Sequence, residues 1–171
     1  MNSHPRDIVE TDLDWVLALN RRHEVELSPL SHDGLAGLVE EAAYCWVVDD
    51  RAAYLIAFDQ DAGYESPNFL WFKDRLDRFV YIDRIAVDRS HRGRGLARLL
   101  YKNLFRFASK GGHDVIVCEV NSEPPNPASD AFHQALAFTE MGRAHLEDRG
   151  KTVRYLRRAL TDADSQLRGT S

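Results

Sequence analysis

Apolar residues along the chain recur at two spacings, and the switches between them mark a succession of elements. The short run RDIV predicts a first strand. ETDLDWVLALNRRHEV follows, with Trp15, Val16, Leu19 and His23 on one helical face and acidic residues in its first turn, where they complement the positive end of a helix. A second helix is predicted over SHDGLAGLVEEAA, with Ser31 or Asp33 as its cap. YCWVVDD and AAYLIAFDQ read as strands joined by a turn at Asp49-Asp50-Arg51. Between Gln60 and Arg78 no period is clean, which predicts a long loop, and a loop of that length in a compact domain is usually functional.

The second half alternates more regularly. RFVYIDRIAV predicts a strand, GLARLLYKNLFRFASK a helix stopped by Gly111-Gly112, and HDVIVCEVN a strand buried on both faces. Asn126 and Pro127 suit the cap and first position of a helix running to about Phe138. TEMGRAHLED and KTVRYLRRAL predict a closing hairpin around Gly150, and TDADSQLRGTS a polar, frayed tail. Residues 1–160 are therefore expected to form a single domain and 161–171 its tail.

Composition narrows the classes. The 171 residues can bury a sizeable core without staples. Cys45 and Cys118 lie in apolar runs without metal-binding spacing and read as buried thiols of a reducing compartment. No apolar stretch approaches the roughly 18 residues of a membrane span, and MNSHPRDIVE has no apolar signal core, so a cytoplasmic location and no membrane partner are expected. A net charge of −5 argues against a nucleic-acid partner. Any bound anion must be met by a local cluster.

HRGRGLAR, residues 91–98, is such a cluster. Helix starts favour acidic residues, yet Arg89, Arg92, Arg94 and Arg98 crowd this one. An anion resolves the conflict: unpaired amides, glycines that let the backbone approach, and guanidinium forks together make a phosphate cradle. A solvated stripe of basic residues spaced by four accounts for the later cations of this helix but leaves Arg92, Gly93 and Gly95 without a reason. The dinucleotide fingerprint fails because Arg98 occupies its third glycine position, and no G-K-S/T is present for a nucleotide P-loop.

YIDRIAVDRSHRGRGLARLL resembles the central signature of the GNAT superfamily of N-acetyltransferases, a strand followed by R/Q-x-x-G-x-G/A and a helix, with Arg92, Gly95 and Ala97 at the motif positions. A second block, NPASDAFHQALAF, resembles the family's N-x-x-A/S-x-x-F-Y-x-x-L-G-F, with Asn126, Ser129, Phe132, Leu136 and Phe138 in register. The resemblance implies an α/β fold with a mixed, mainly antiparallel central sheet of six to seven strands flanked by helices. It also implies acetyl-coenzyme A as cofactor. The loop from Arg92 through Gly93, Arg94, Gly95, Leu96 and Ala97 to Arg98 would hold the pyrophosphate. Ile85, Ala86 and Val87 would pair with the pantetheine arm, the Val87 amide polarising the thioester carbonyl, while Asn126, Ser129, Phe132 and His133 flank the arm. Two positions depart from the pattern. Ala137 replaces a glycine, a change expected to cost little, and His133 replaces the tyrosine that in many relatives protonates the departing thiolate.

Amine attack on a thioester needs a neutral amine, donors for the oxyanion and a proton or dipole for the thiolate. Asp83, read as sharing a strand face with Tyr81 and Val87, and Glu119, facing with Val115 and Val117, are the candidate bases, because an acid in an apolar strand has its pKa raised by desolvation. Asp83 paired with an arginine and Glu119 closing a strand are the plain structural alternatives. His133, with an unperturbed pKa of about 6.5, suits proton donor or acceptor, or packs beside the cofactor. Cys118 reads as core. The family's acceptor site would draw on Asn20, His23 and Glu24, on Asn68, Phe69 and Trp71 with Tyr64, Ser66 and Phe72, and on Tyr81; NFLWF could instead form a dimer contact. The expected activity is direct transfer of an acetyl group to a primary amine of a small molecule or peptide, and the alternative is a coenzyme A binding module without transfer.

Overall fold

Seven strands and five helices follow one another in the computed structural model, which describes residues 3–167. Strand β1 (Pro5–Asp7) leads through a 3-10 turn into α1 (Leu13–Arg21) and α2 (His32–Glu41), the latter capped by the Ser31 hydroxyl accepting from the Gly34 amide at 3.0 Å. Strands β2 (Tyr44–Val48) and β3 (Ala53–Asp59) form the expected hairpin, with Asp50 and Arg51 at positive φ in its turn. Then come α3 (Pro67–Lys73), β4 (Phe79–Val87), α4 (Leu96–Lys110), β5 (Val115–Glu123), α5 (Pro127–Ala135), β6 (Thr139–Leu146) and β7 (Lys151–Ala159). The strands make one sheet in the order β1-β2-β3-β4-β5-β7-β6, antiparallel except where β4 meets β5. The expected fold class holds.

Each face of the sheet carries its own core. Leu96, Leu100, Tyr101 and Leu104 of α4 pack on Val80, Ile82, Ile116 and Cys118, while α1, α2 and α3 cover the other face through Val16, Leu19, Leu35, Phe69 and Phe72. Strand β3 is buried on both sides from Ala53 to Phe58, which explains its unbroken apolar run. Among the described residues no helix is long and apolar enough to cross a membrane.

Two irregularities open the sheet at its centre. Strands β4 and β5 pair only over Phe79–Tyr81 and Val115–Val117, and beyond these residues they diverge. In the same region Ala57 of β3 faces Ile82 but Ile56 faces Arg84, so Asp83 is the extra residue of a β-bulge. The bulge reverses the alternation: Tyr81 and Ala86 join the α1–α3 core, while Ile82, Ile85 and Val87 face α4. Asp83 therefore does not share one face with Tyr81 and Val87, as simple alternation predicts.

The segment expected as a long loop contains α3. Ser66 sits at its N-cap position and Pro67 in its first turn, where proline is favoured. Phe69 and Phe72 are wholly buried, each stabilising the fold by roughly 1.5–3 kcal/mol. Trp71 stacks on Tyr155 at 4.1 Å between centroids and lies so close to Gly142 that a Cβ there would stand 2.5 Å from its ring. Phe69, Trp71 and Phe72 thus cement the helix to the sheet, while Leu70 of the same stretch remains exposed. Much of the expected frayed tail is instead folded. Thr161–Leu167 fold back on α4 through a 3-10 turn whose buried Asp164 accepts from Arg158 at 2.7 Å and from the Thr161 amide at 2.7 Å; residues 168–171 lie outside the described structure.

Helix α5 stops at Ala135, short of the predicted Phe138. The Phe138 amide donates to the His133 carbonyl at 3.0 Å and the Ala137 amide to that of Gln134 at 3.1 Å, a Schellman stop with Ala137 in the left-handed region at φ 67°. Glycine is preferred here because a Cβ is strained in that region, so alanine is not the cheap replacement expected. Ala137→Gly is predicted to raise unfolding stability by up to ~1 kcal/mol, measured by urea denaturation.

Candidate active site

Helix α4 begins with unsatisfied donors. Leu99 is the first residue of its opening turn whose amide finds a backbone acceptor, the Gly95 carbonyl at 2.9 Å; among the described residues the amides from Gly93 to Arg98 have none. Gly93 and Gly95 adopt φ of 78° and 72°, and a Cβ at either would meet open space, so backbone conformation and not crowding calls for glycine. No carboxylate pairs with Arg92, Arg94 or Arg98 among the described residues. Asp88, the nearest acid in sequence, is taken by Arg22 at 2.7 Å and by Ser90. The arrangement is a cradle for a phosphate-bearing anion.

Three cavities run end to end from this cradle. The first, of about 300 Å³, is lined by Gly93, Gly95, Leu96, Ala97 and Arg98. Arg92, Val87, Ala97 and Phe132 also line the second, of about 520 Å³, which lies between the diverging strands. Here β4 presents its free edge: the Asp88 amide donates to the carbonyl of Ala52, just before β3, at 2.7 Å, so strand alternation turns the Ile85 and Val87 amides toward the cleft and that of Ala86 toward β3. Asn126 and Ser129 stand opposite, the Asn126 side chain capping α5 by accepting from the Ser129 amide at 3.3 Å. The third cavity, of about 440 Å³, shares Glu26, Leu27, Asp83, Arg84, Glu119 and Asn121 with the second.

Glu119 stands where these two cavities join. Its Oε1 accepts from the Asn68 amide at 3.1 Å, and Asn68 is itself held by the Tyr155 hydroxyl at 2.8 Å. Its Oε2 is sealed from solvent and has no hydrogen-bond partner, although the cleft touches the rest of the side chain. Desolvation pushes the carboxyl up to about 7; the nearby Tyr81 hydroxyl pulls it back without reaching full hydrogen-bond geometry, and the Asp83 charge raises it further. Asp83 has no such freedom, since its oxygens accept from Tyr64 and from Arg84, each at 2.7 Å. Adjacent strand residues normally point to opposite faces, and this pair meets only because of the bulge. Burial disfavours the Arg84 charge, but Asp83 outweighs it and the pKa is raised.

His133 is fully engaged. Its Nδ1 lies 2.8 Å from the Ser129 carbonyl, an acceptor only, so Nδ1 carries the hydrogen and Nε2 accepts from the Tyr101 hydroxyl at 2.8 Å. Burial lowers the imidazole pKa and holds the ring neutral. His23 and Arg92 meet at 3.5 Å across the second cavity, and Glu24 lines the mouth of the third.

Several expected contacts sit elsewhere. Asn20 is wholly buried, its Oδ1 accepting from Tyr54 at 2.8 Å and Arg84 at 3.0 Å, and it organises the site without facing it. Phe69 and Trp71 belong to the core and line none of the three cavities. Arg94 turns away toward Ser3. Conversely, Arg84, Tyr101 and Asn121 line the cleft and were not singled out. The signal for Arg84 was its charge inside the apolar run YIDRIAV, and that for Asn121 its position two residues after Glu119. Tyr101 carried no signal, because an aromatic on the apolar stripe of a helix reads as core.

Comparison with known proteins agrees with this geometry. The model of the acetyltransferase (GNAT) family matches residues 23–138, and the chain belongs to that family. Among solved structures it is similar to the ribosomal-protein-S18-alanine N-acetyltransferase of Escherichia coli, at 19% identity over 97% of this chain and 99% of that one, with a TM-score of 0.70. It is also similar to Ard1 of Thermoplasma volcanium (12% identity, 95% and 100% covered, TM-score 0.76). Spermidine N-acetyltransferase of Vibrio cholerae, solved with CoA and spermine, shares 18% identity over 97% and 99% of the chains, with a TM-score of 0.70. At these identities the likeness is one of fold. No curated protein matches the sequence.

The cradle gives a graded expectation. Calorimetric titration with acetyl-coenzyme A should show Arg92→Ala and Arg98→Ala each weakening binding about tenfold, the scale of one lost charge-assisted contact, with Arg94→Ala within about twofold of the parent.

Proposed function

We propose that the protein transfers an acetyl group from acetyl-coenzyme A to a primary amine of a small molecule or peptide within a ternary complex. The observation that carries this reading is Glu119, a desolvated carboxylate with one free oxygen at the junction of the two larger cavities. The cofactor supplies the activated thioester; the residues present suit it, since the amides of Gly93 to Arg98 together with Arg92 and Arg98 would hold its diphosphate. The free amides of Ile85 and Val87 would bind the extended arm, and that of Val87 would face the carbonyl oxygen.

The remaining steps belong to this chain. As a neutral amine in the third cavity attacks, it loses a proton to the Glu119 carboxylate, whose pKa near 7 lets it hold that proton and release it to the cleft. As the carbon–nitrogen bond forms and the carbon–sulfur bond breaks, charge gathers on the carbonyl oxygen and is met by a fixed backbone dipole. The sulfur gains a proton from cleft water, so one proton is lost and one taken up. Asp83, whose oxygens accept from Tyr64 and Arg84, shapes the floor. His133 positions Tyr101; both its nitrogens are committed to protein partners, which leaves it no proton to give. That same saturation favours the second reading, a coenzyme A binding module without transfer.

Glu119→Gln separates the two readings. Transfer predicts a fall in kcat of about 100-fold or more with acetyl-coenzyme A binding retained, and loss of the rise in activity as pH increases through the carboxyl's pKa. Because that pKa is higher folded than unfolded, ionisation opposes folding, and parent stability should decline as pH rises from about 4.5 to about 7. The variant should escape this decline and exceed the parent by roughly 1–3 kcal/mol at pH 8. A panel of amines that releases no thiol from the parent would favour the binding module.

A further inference from the structure

Arg84 is the one guanidinium buried in the floor of the acceptor cavity, and its donors are unevenly used. Nε donates to Asp83 at 2.7 Å, and Nη1 donates to Asn20 at 3.0 Å and to the Ser28 carbonyl at 3.2 Å. Nη2 has no partner among the described residues, yet it is not sealed from solvent, and the side chain lines both larger cavities. Glu119, in the same floor, lines both larger cavities and carries a carboxylate one of whose oxygens is unpaired and sealed behind the rest of the side chain. The Asn121 side chain, also without a hydrogen-bond partner among the described residues, lines the cavity beside them.

We propose that the acceptor is an amine bearing its own carboxylate, an amino acid, whose nitrogen meets Glu119 and whose carboxylate is gripped by Arg84 Nη2. This deepens the acetyl-transfer reading and rests on it. A neutral carbonyl would satisfy the free donor only weakly. A carboxylate on a guanidinium forms a charge-assisted bond, and in a walled cavity it is screened far less than on the surface. Glu24, Glu26 and Asp83 also line this cavity and would oppose an anion; Asp83 is already held by Arg84 Nε at 2.7 Å and by Tyr64, and Glu24 and Glu26 are solvent-exposed and act through water. Arg149 and Lys151 offset them at the same rim, where they donate to Ser28 Oγ at 3.2 Å and to the Val25 carbonyl at 2.9 Å. A polyamine would bring a second cation toward Arg84 and leave Nη2 unpaired. A peptide amino terminus would place an amide where the carboxylate is expected.

The test compares matched triples in a thiol-release assay: an amino acid, its primary carboxamide and its decarboxylated amine, over a range of side chains and of α- and β-amino positions. The free acid is expected to exceed both neutral forms in kcat/KM by about 10- to 100-fold, as one charge-assisted bond allows. In Arg84→Lys, which keeps a cation for Asp83 but removes the fork, that ratio should fall to within about threefold of unity. Carboxamides, short peptides or simple amines acetylated as well as the acids, or a ratio unchanged in the variant, would overturn the proposal and leave acetyl transfer standing. If no triple is acetylated while acetyl-coenzyme A still binds, the same triples are titrated onto that complex: carboxylate-dependent binding upholds the assignment, and equal or absent binding overturns it. Failure to bind acetyl-coenzyme A at all would instead remove the transfer reading beneath it.

Discussion

Parallel strands β4 and β5 share hydrogen bonds over three residues on each side and then part, leaving a row of backbone amides on β4 with no protein partner. Buried backbone donors are rarely left in that state, so a gap of this kind is a demand for an extended ligand. The demand is held open from both sides. Strand β3 claims one edge of β4, β7 claims the far edge of β5, and the bulge at Asp83 prevents β4 from resuming register with its neighbour. Every functional element described above lies along this wedge: the cradle at its wide end, the free amides along one wall and Glu119 near its apex.

Charge is distributed along the wedge in a way that the net value of the chain conceals. The protein is acidic overall, at −5, yet the start of α4 has guanidinium groups and amides that no acid among the described residues neutralises, because Asp88 is engaged by Arg22, Ser90 and His91. At the other end the carboxylates are sorted by their partners. Asp83 is held by a buried cation and by Tyr64, and both its oxygens are occupied. Glu119, lacking a cation, keeps its proton to near neutrality, as a group that must accept and release one within a catalytic cycle requires. Two acids on neighbouring strands thus acquire different chemistry from a single arginine.

Most of the fold was legible because its elements are long and periodic. Strand β3 and helix α4 announce themselves by unbroken or amphipathic runs, and the Asn126-Pro127 cap by its residue types. Helix α3 was not legible, since its seven residues complete about two turns and a proline at its start reads equally well as a loop. The site was partly legible for a related reason. Arg92, Gly93 and Gly95 stand out because charge and glycine at a helix start violate a local preference, and Glu119 because an acid interrupts an apolar strand. Simple alternation wrongly put Val87 on the face of Tyr81 and Asp83, because a bulge leaves no mark in a pattern of apolar and polar residues. The saturation of His133 was equally hidden: it depends on Tyr101, 32 residues away in sequence.

The Asp83–Arg84 pair shows why stability alone does not account for the centre of this sheet. Taking both charges out of water costs several kcal/mol each, and a pair of apolar residues of similar volume would often serve the fold as well or better. Apolar side chains would also favour regular alternation, allow β4 and β5 to continue pairing and close the wedge. The ion pair makes the bulged conformation specific, because the two carboxylate oxygens, Tyr64, Asn20 and the Ser28 carbonyl are satisfied together only when adjacent side chains turn to meet each other. What the charges contribute is an open strand edge in a defined place, and the unmatched Nη2 of Arg84 is the part of that arrangement left for a ligand to complete.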